Sequence, residues 1–251
     1  MSTILAFANQ KGGVGKTTSS VNVAAGLALA GKRVLLVDMD PQANASFVLT
    51  GQEHPDANIY HLLKEELSLD DILVQGALEN LMIAPSDIDL AGAEVELLQA
   101  VGGQQRLKNA LQEGRGFDYI IIDAPPSLGL LTINTLVAAH GVIIPVDCGF
   151  FSLRGIVRLE DSIAKVRKHL GGTTHIAGVV CTLFDNTNVS RDVVAAVRQR
   201  FGDVAFATTI PKNVKLEEAH SRAQHVFAYA PDSAGAESYH ALVKEILNRG
   251  A

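Results

Sequence analysis

Seven β-prone segments, most of them apolar along their whole length, recur through the chain and constrain its fold more than any other feature. A strand that is buried on one face alternates apolar and polar residues, whereas a strand inside a parallel sheet is covered on both faces and is apolar throughout. Helical patterns separate these segments. The alternation predicts an α/β fold with a doubly wound, mostly parallel sheet flanked by helices on both faces. The strands are expected at residues 3–8, 33–38, 81–85, 119–124, 141–147, 176–184 and 204–210.

Glycines stand where the C-caps of the predicted helices belong. No repeat, low-complexity tract or linker divides the chain, so a single domain over residues 1–251 is expected. Residues 44–80 are interpreted as a helical excursion with uncertain boundaries. The helices are expected at 17–31, 102–114, 130–140, 153–172, 190–202 and 234–250, with caps at Gly31, Gly114, Gly171 and Gly202.

The composition excludes several classes of protein. Hydrophobic residues make up 47% of the chain and charged residues 19%, so it can bury a sizeable core and is unlike a disordered chain. Cys148 and Cys181 are far apart in the sequence, which argues against a disulfide scaffold or a zinc module and fits a reducing cytoplasm. The N-terminal segment lacks the basic region of a signal peptide, and no stretch approaches the roughly 18 apolar residues that span a bilayer.

The charge is distributed unevenly along the chain. The net charge of −6 by itself disfavours nucleic acid as a partner. However, residues 1–150 hold 8 Lys and Arg against 17 Asp and Glu, whereas residues 151–251 hold 13 against 10. A polyanion would therefore be expected on the C-terminal hundred residues, and the alternative is a solvated surface of uneven charge.

The apolar segment at 3–8 runs directly into the glycine-rich sequence NQKGGVGKTT, which opens a helix. Strand, glycine-rich loop and helix in this order are typical of a phosphate-binding loop, and the alternative is a turn that binds nothing. The glycines let backbone N–H groups turn toward phosphate oxygens, and the helix directs its positive end to the same place. Lys16 is expected to reach the β- and γ-phosphates, Thr17 to bind Mg²⁺, and Thr18 to hold the α-phosphate. The loop backbone is contributed by Gly12, Gly13, Val14 and Gly15.

Gln10 occupies the position of the first glycine in the strict phosphate-loop pattern, and the segment instead reads KGGxGKTT. In this respect the chain resembles the ParA/MinD family of ATPases, which carry a deviant phosphate loop. Two further segments support the resemblance, VLLVDMDPQAN at 34–44 and YIIIDAPPSLG at 119–129. The similarity covers nearly the whole chain and is greatest to the short ParA/Soj partition ATPases. It implies a P-loop NTPase fold and an ATPase of weak intrinsic activity, with ATP and Mg²⁺ as its cofactors.

The resemblance also implies a role for the second lysine of the loop. In that family the first lysine of the loop crosses a two-fold dimer and contacts the partner's nucleotide, and Lys11 is the matching position. A cation supplied in this way offsets charge on the transferred phosphoryl group, as an arginine finger does. The alternative is an exposed loop lysine. The catalytic residues implied are Lys11, Lys16 and Asp40.

Three carboxylates follow predicted strands and are expected at the carboxyl edge of the sheet, where ligands bind in such folds. By resemblance, Asp40 orients or activates the attacking water, Asp38 lies near the magnesium shell, and Asp123 holds Mg²⁺ through a water. The alternative for each is a loop carboxylate that caps a helix. Pro211 and Asn213 match the family's adenine-side segment, although a proline-bounded turn explains the same residues.

ParA-like members bind DNA non-specifically as ATP dimers, through basic residues in the C-terminal third. Where the family often shows FDxRTNL, this chain has the shorter FDNTNVSRD at 184–192, and Arg191 is the nearest substitute for the missing arginine. At 147–155, Gly149 and Arg154 replace acidic residues of the family pattern. The candidate DNA contacts are Arg154, Arg191, Arg198, Lys212, Lys215 and Arg222, with Arg158, Lys165, Arg167, Lys168 and Arg200 as further basic residues.

The function implied is that of a homodimeric ATPase on nucleoid DNA in the cytoplasm, which partitions or positions a cargo and is stimulated by a ParB-like or other adaptor protein. One alternative is a MinD-like membrane-surface ATPase, which needs an amphipathic C-terminal helix with a basic face. The C-terminal segment YHALVKEILNRGA is nearly neutral, so stable membrane binding is not expected. Another alternative, an iron–sulfur carrier, needs suitably placed cysteines, and Cys148 and Cys181 are interpreted as structural.

Overall fold

One sheet of eight strands runs through the computed structural model, which describes residues 2–113, 116–149 and 154–250, without the side chains of residues 113, 154 and 155. The strands β1 to β8 are Thr3–Phe7, Val34–Asp38, Val74–Gln75, Leu81–Ala84, Tyr119–Asp123, Gly141–Asp147, His175–Phe184 and Ala205–Pro211. Their order across the sheet is β3-β4-β2-β5-β1-β6-β7-β8, and only the β3–β4 pair is antiparallel. The predicted doubly wound, mostly parallel fold is confirmed.

All seven predicted strands are present, and none of their ends differs from the prediction by more than one residue. The prediction succeeded because the central strands are covered on both faces: every residue of β2 and β5 is buried. The strand β3 was missed. It consists of two residues at the edge of the sheet, which is too short to produce a periodic pattern.

The helices of the described residues include all six that were predicted. The excursion at 44–80 contains three short helices, and three more helices, α5, α10 and α11, were not expected. Gly31, Gly171 and Gly202 follow helices with φ of +80°, +65° and +52°, as expected for C-caps, and Gly114 lies outside the described residues. The helices α1 to α12 are Lys16–Leu29, Asn44–Thr50, Ile59–Leu63, Leu69–Ile72, Leu90–Gln99, Arg106–Glu113, Leu130–Ala138, Arg154–Leu170, Asn188–Phe201, Val214–Ser221, Val226–Tyr229 and Ala234–Arg249, and 3-10 turns lie at Gly103–Gln105 and Gly202–Val204.

The helices cover the two faces of the sheet as two layers. Helices α1, α2, α10, α11 and α12 pack on the face that carries Phe7 and Leu36. Helices α3 to α9 cover the opposite face. They pack against Leu35 and Val37 of β2 and against Ile144 of β6. Since the side chains of a strand alternate between faces, one apolar strand supplies both cores.

The topology places the carboxyl ends of seven strands along one edge of the sheet. Phe7, Asp38 and Asp123 stand at the same level on β1, β2 and β5, because Asp123 pairs in register with both of the other residues. The loops that follow these three strands therefore meet at one point. In open α/β sheets this edge is where ligands bind.

Candidate active site

The loop between β1 and α1 has the backbone shape that a phosphate requires. Gly13 and Gly15 have φ of +71° and +81°, in the left-handed region that a side chain opposes. A Cβ on Gly12 or Gly13 would meet no atom within 4 Å, so the loop is open at these two residues. Helix α1 begins at Lys16, directly after the loop, and directs its free N–H groups to the same opening.

Two polar side chains that the sequence reasoning missed fix the loop to the sheet. The amide of Asn9 donates to the carbonyl of Pro145 at 2.7 Å, and its oxygen accepts from the backbone N–H of Lys11 at 3.1 Å. From β7, the hydroxyl of Thr182 donates to the carbonyl of Val14 at 2.8 Å. A buried asparagine directly before a glycine-rich loop was the only sequence signal for these contacts, since the partners of both residues are far away in the chain.

Lys16 lies inside the loop rather than in solvent. Its side chain is 7% exposed, and its Nζ donates to the carbonyl of Lys11 at 3.2 Å. Burial lowers the pKa of Lys16, and the nearby carboxylates of Asp123 and Asp40 oppose that shift. The ammonium is therefore already positioned across the loop opening, where a phosphate oxygen would replace the carbonyl as its partner.

Asp123 is the polar group of the site that most clearly lacks a partner. Its side chain is fully buried, and neither carboxylate oxygen has a hydrogen-bond partner. Burial raises the pKa of Asp123 well above its usual range, and the neighbouring Asp38 raises it further. The hydroxyls of Thr17 and Ser20, on the first turns of α1, are near enough to oppose part of this rise.

This arrangement fits a magnesium ion. Mg²⁺ takes oxygen ligands, keeps several waters, and is usually held by one or two carboxylates together with substrate phosphates. Asp123 supplies an unused buried carboxylate, and Thr17 supplies a hydroxyl at the N-terminus of the helix that follows the loop. The described residues contain no group of three or more His, Cys, Asp or Glu that could hold a metal without a substrate.

The carboxylate of Asp38 is fully occupied by protein donors. It accepts from the backbone N–H and the hydroxyl of Ser46, both at 2.8 Å, and from the backbone N–H of Asp40 at 3.1 Å. Burial raises the pKa of Asp38 to about 6, and these hydrogen bonds limit the rise. The group thus satisfies a free N–H in the first turn of α2, beside the place expected for magnesium.

Asp40 lies in the loop that follows β2, at the rim of the same site. Its carboxylate accepts from the backbone N–H of Gln42 at 3.0 Å. Its carbonyl accepts from the hydroxyl of Ser86 at 2.8 Å, and the backbone N–H of Ser86 donates in turn to the hydroxyl of Ser46. The loops after β2 and β4 are thereby connected, and the carboxylate of Asp40 is held by one short-range bond only.

Lys11 contacts its own protomer. Its Nζ pairs with the carboxylate of Asp147, at the end of β6, over 2.7 Å. The side chain of Lys11 is 44% exposed and that of Asp147 is 16% exposed. The sequence reasoning did not assign Asp147 to the site.

The two residues expected on the adenine side lie farther along the same edge. Pro211 ends β8 and pairs with Phe184 of β7. Asn213 caps α10, because its side-chain oxygen accepts from the backbone N–H of Lys215 at 2.8 Å. Its amide donors and the second lone pair of its oxygen are not used by that contact.

The structure separates the candidate DNA contacts into two groups. Arg198 donates to the carbonyl of Ala207 at 2.9 Å, Arg200 pairs with Glu160, and Lys215 pairs with Glu218. Arg191, in the first turn of α9, donates to the side-chain oxygen of Asn186 in the preceding loop. Lys212 and Arg222 are exposed and form no ion pair within the described residues, and the side chain of Arg154 lies outside them. Also exposed are Arg158, Lys165, Arg167 and Lys168, all on α8.

Cys148, the residue directly after β6, and Cys181 of β7 are buried free thiols, and the backbone N–H of Cys148 donates to the carbonyl of Thr182. A hydrogen bond between the two thiols, together with burial, raises the pKa of the Cys148 thiol. The same hydrogen bond lowers the pKa of the Cys181 thiol. Because both side chains are buried, neither thiol is accessible from solvent.

None of the described helices is both long and apolar enough to cross a bilayer.

Comparison with known proteins gives the family. Residues 2–176 match a family model described as an AAA domain. The sporulation initiation inhibitor protein Soj of Bacillus subtilis is 46% identical over 254 residues, covering 100% of both chains. The chromosome partitioning protein ParA of Caulobacter vibrioides is 41% identical, covering 98% of this chain and 94% of its own.

A solved structure gives the same fold. Cobyrinic acid a,c-diamide synthase of Mycobacterium smegmatis, with bound ADP and magnesium, superposes with a TM-score of 0.87 and 36% identity, covering 100% of this chain and 96% of that one. The expected cofactors are consistent with those ligands and with the loop, the buried lysine and the unpartnered carboxylate described above. The chain therefore belongs to the ParA/MinD family of P-loop ATPases.

Proposed function

We propose that this protein binds ATP with Mg²⁺, dimerises across two bound nucleotides, binds DNA as that dimer, and hydrolyses ATP to partition or position a cargo. The observation that carries the proposal is the juxtaposition of a left-handed glycine loop, a buried Lys16 and an unpartnered Asp123 at one edge of the sheet. The full-length similarity to a chromosome partitioning protein and to Soj supports the choice of cargo transport over other ATP-driven work.

Each residue of the site has a defined task in this proposal. The N–H groups of residues 12–16 surround the phosphates, and Lys16 exchanges its carbonyl partner for the β- and γ-phosphate oxygens. Thr17 and Asp123 hold Mg²⁺, directly or through water, with Asp38 beside them. Mg²⁺ offsets negative charge on the phosphates when bound. Thr18 holds the α-phosphate, and Pro211 and Asn213 contact the adenine.

Hydrolysis needs a positioned water and a compensating cation. Asp40 is suited to the first task, since its carboxylate lies at the rim and makes one contact with a backbone N–H. Lys11 is suited to the second, because its amine reaches beyond the loop on a partly exposed side chain. Supplied by the partner of a two-fold dimer, such a cation is worth on the order of 10³–10⁵ in rate. A protomer alone lacks it, so weak intrinsic activity is expected.

The DNA surface is proposed on basic residues of the C-terminal third. Lys212 and Arg222 are exposed candidates whose side chains make neither an ion pair nor a hydrogen bond in the described part of the chain. The backbone N–H of Lys212 donates to Phe184, two residues before the Asn186 that Arg191 contacts. Such binding neutralises phosphates and falls steeply with salt. The ATP dimer would then reside on nucleoid DNA in the cytoplasm, and a ParB-like or other adaptor would stimulate hydrolysis and release it.

Co-sedimentation with DNA and with anionic liposomes, each in ATP and in ADP, tests this function. The protein is expected to sediment with DNA only in ATP, and Lys11→Ala to remain soluble because it does not form the ATP dimer. Asp40→Ala is expected to stay on DNA in ATP, since it dimerises without turnover.

Two results would contradict the proposal. ATP-dependent sedimentation with liposomes instead of DNA would favour the membrane-surface alternative. An intact ATP dimer of Lys11→Ala, measured by light scattering, would remove that lysine from the interface. Size measurements of wild type in ATP and in ADP serve as the reference.

The amide-synthase activity named for the mycobacterial structure is not favoured here. Transfer of an amide nitrogen from glutamine commonly starts from a nucleophilic cysteine, which must be accessible and ionisable. Cys148 and Cys181 are 6% and 4% exposed, so neither sulfur is accessible to a substrate. What the two proteins share is the ATP-binding scaffold.

A further inference from the structure

The ion pair between Lys11 and Asp147 joins two segments that are 136 residues apart. Its lysine is the residue that must leave its own protomer if the dimer forms as proposed. Its carboxylate lies at the carboxyl end of β6, beside the β1 strand from which the loop emerges. The contact is short, at 2.7 Å, and joins the partly exposed side chain of Lys11 to the largely buried side chain of Asp147.

The carboxylate of Asp147 pairs with no cation other than Lys11 among the described residues. One carboxylate oxygen, Oδ1, is buried and has no hydrogen-bond partner, and the other, Oδ2, faces Lys11. Among the described residues, Lys11 is the one cation within 4 Å of it. The backbone of Lys11 is held at the same place, because its N–H donates to Asn9 and Asn9 donates to Pro145, two residues before Asp147.

We propose that Asp147 is a positioning residue that holds Lys11 on its own protomer and competes with the γ-phosphate of a partner for the same amine. The inference rests on the proposed ATP dimer and adds a regulatory property to it. A negative carboxylate and a negative phosphoryl group cannot both be the close counter-ion of one ammonium on a lysine that spans two protomers. Dimerisation then requires that this ion pair opens.

Two-fold symmetry doubles the free-energy effect of the ion pair on dimerisation. A partly exposed ion pair shifts an equilibrium constant by about two- to fivefold. A two-fold dimer opens two such pairs, one in each protomer, so the effects multiply. Removing the carboxylate is therefore expected to tighten the nucleotide-dependent dimer by about four- to twenty-five-fold.

The test uses Asp147→Asn, which keeps the shape of the side chain and removes its charge. Two quantities are measured at about 0.15 M salt, where the Debye length is about 8 Å and long-range charge effects are screened. The first is the rate at which an amine-acylating reagent modifies Lys11 in the nucleotide-free protein, read by mass spectrometry. The second is the dimer dissociation constant with a non-hydrolysable ATP analogue, measured by sedimentation equilibrium.

Asp147→Asn is expected to label Lys11 about two- to fivefold faster, because the amine is no longer held, and to dimerise about four- to twenty-five-fold more tightly. Asp147→Glu should restore wild-type values of both quantities. Glu66→Gln is the matched control, since Glu66 pairs with Lys64 at 2.9 Å just after α3 and the substitution removes the same charge. It should behave as wild type.

An unchanged labelling rate or an unchanged dissociation constant in Asp147→Asn would overturn the inference, provided that wild type dimerises. Failure of wild type itself to dimerise with the analogue would refute the proposed function, and the inference with it. Thermal unfolding of each variant verifies that the fold is retained.

Discussion

At the scale of single residues, the site contains a buried carboxylate, Asp123, that destabilises the ligand-free fold and is suited to bind a cation. A buried polar group without a partner costs about 1–3 kcal/mol, and more when it carries charge. Asp123 is such a group, with Asp38 directly beside it on the next strand. A carboxylate in this position has no structural justification in the ligand-free protein, which is why it supports a cation site more strongly than Asp38, whose oxygens are used.

Asp123→Asn is expected to stabilise the ligand-free protein in a pH-dependent way. The folded-state pKa of Asp123 is raised, so between the unfolded value near 3.8 and the folded value the native state binds more protons than the unfolded state. Wild-type stability from this group therefore falls as pH rises through that window, and the variant lacks the fall. The gain in the variant should grow with pH above about 4 and reach on the order of 1–3 kcal/mol.

Urea unfolding from pH 5 to pH 8, without nucleotide or magnesium, measures this difference. Parallel pH profiles for wild type and Asp123→Asn would contradict it. The same variant should lose magnesium-dependent ATPase activity, so its gain in stability is obtained at the expense of function.

At the scale of elements, the sequence predicted the parts of the fold that local pattern determines. Continuous apolar runs predicted seven strands, because a strand that is buried on both faces is apolar at nearly every position instead of alternating with polar residues. The pattern failed for the short elements β3 and α11, of two and four residues, and also for α5 and α10, of ten and eight residues. It also failed for the attachments of the phosphate loop, since Asn9 and Thr182 bond to residues 136 and 168 positions away.

For the site, the motif located Lys16 and Asp123 correctly at one edge of the sheet, since the order of strand, loop and helix determines their neighbourhood. It gave no information on the contact of Lys11 with Asp147. Pairing across the sheet depends on strand order, and no local pattern of residues encodes that order.

Thr182→Val tests whether β7 supports the phosphate loop. The substitution removes the hydrogen bond to the Val14 carbonyl and leaves that carbonyl buried, so ATP affinity is expected to fall about three- to tenfold. Thr174→Val is the control, because Thr174 is equally buried and bonds to carbonyls at the opposite end of the sheet.

Both variants should lose about 1–2 kcal/mol of unfolding free energy, measured in urea. Only Thr182→Val should weaken ATP binding, measured by titration calorimetry. Equal nucleotide affinities in the two variants would show that β7 does not shape the loop.

At the scale of the whole molecule, the excess of positive charge in residues 151–251 is not one continuous unpaired surface. Part of it is used internally: Arg249 donates to carbonyls of Ala177, Val204 and Ala205, and Arg200 pairs with Glu160. Charge counted along the sequence therefore overstates the charge available to a polyanion. The exposed residues whose side chains make neither an ion pair nor a hydrogen bond within the described part of the chain are the better candidates.

DNA binding in the presence of an ATP analogue should separate these two classes. Lys212→Ala and Arg222→Ala are each expected to reduce the slope of log affinity against log salt by about 1. Arg198→Ala and Arg200→Ala should leave the slope near the wild-type value, since their guanidinium groups already bond within the protomer. Fluorescence anisotropy between about 50 and 200 mM salt measures the slopes. Equal reductions in all four variants would contradict the assignment.

The contact between the Lys16 ammonium and the Lys11 carbonyl links occupancy of the loop to the freedom of the residue at its tip. When a phosphate takes the ammonium, that carbonyl loses its donor and the neighbouring backbone is less restrained. If the proposed dimer forms, we expect a nucleotide-free protomer to dimerise poorly and a nucleotide-bound protomer to dimerise readily. In the proposed dimer, ATP binding is therefore expected to precede dimerisation, and the six residues 11–16 couple the two steps.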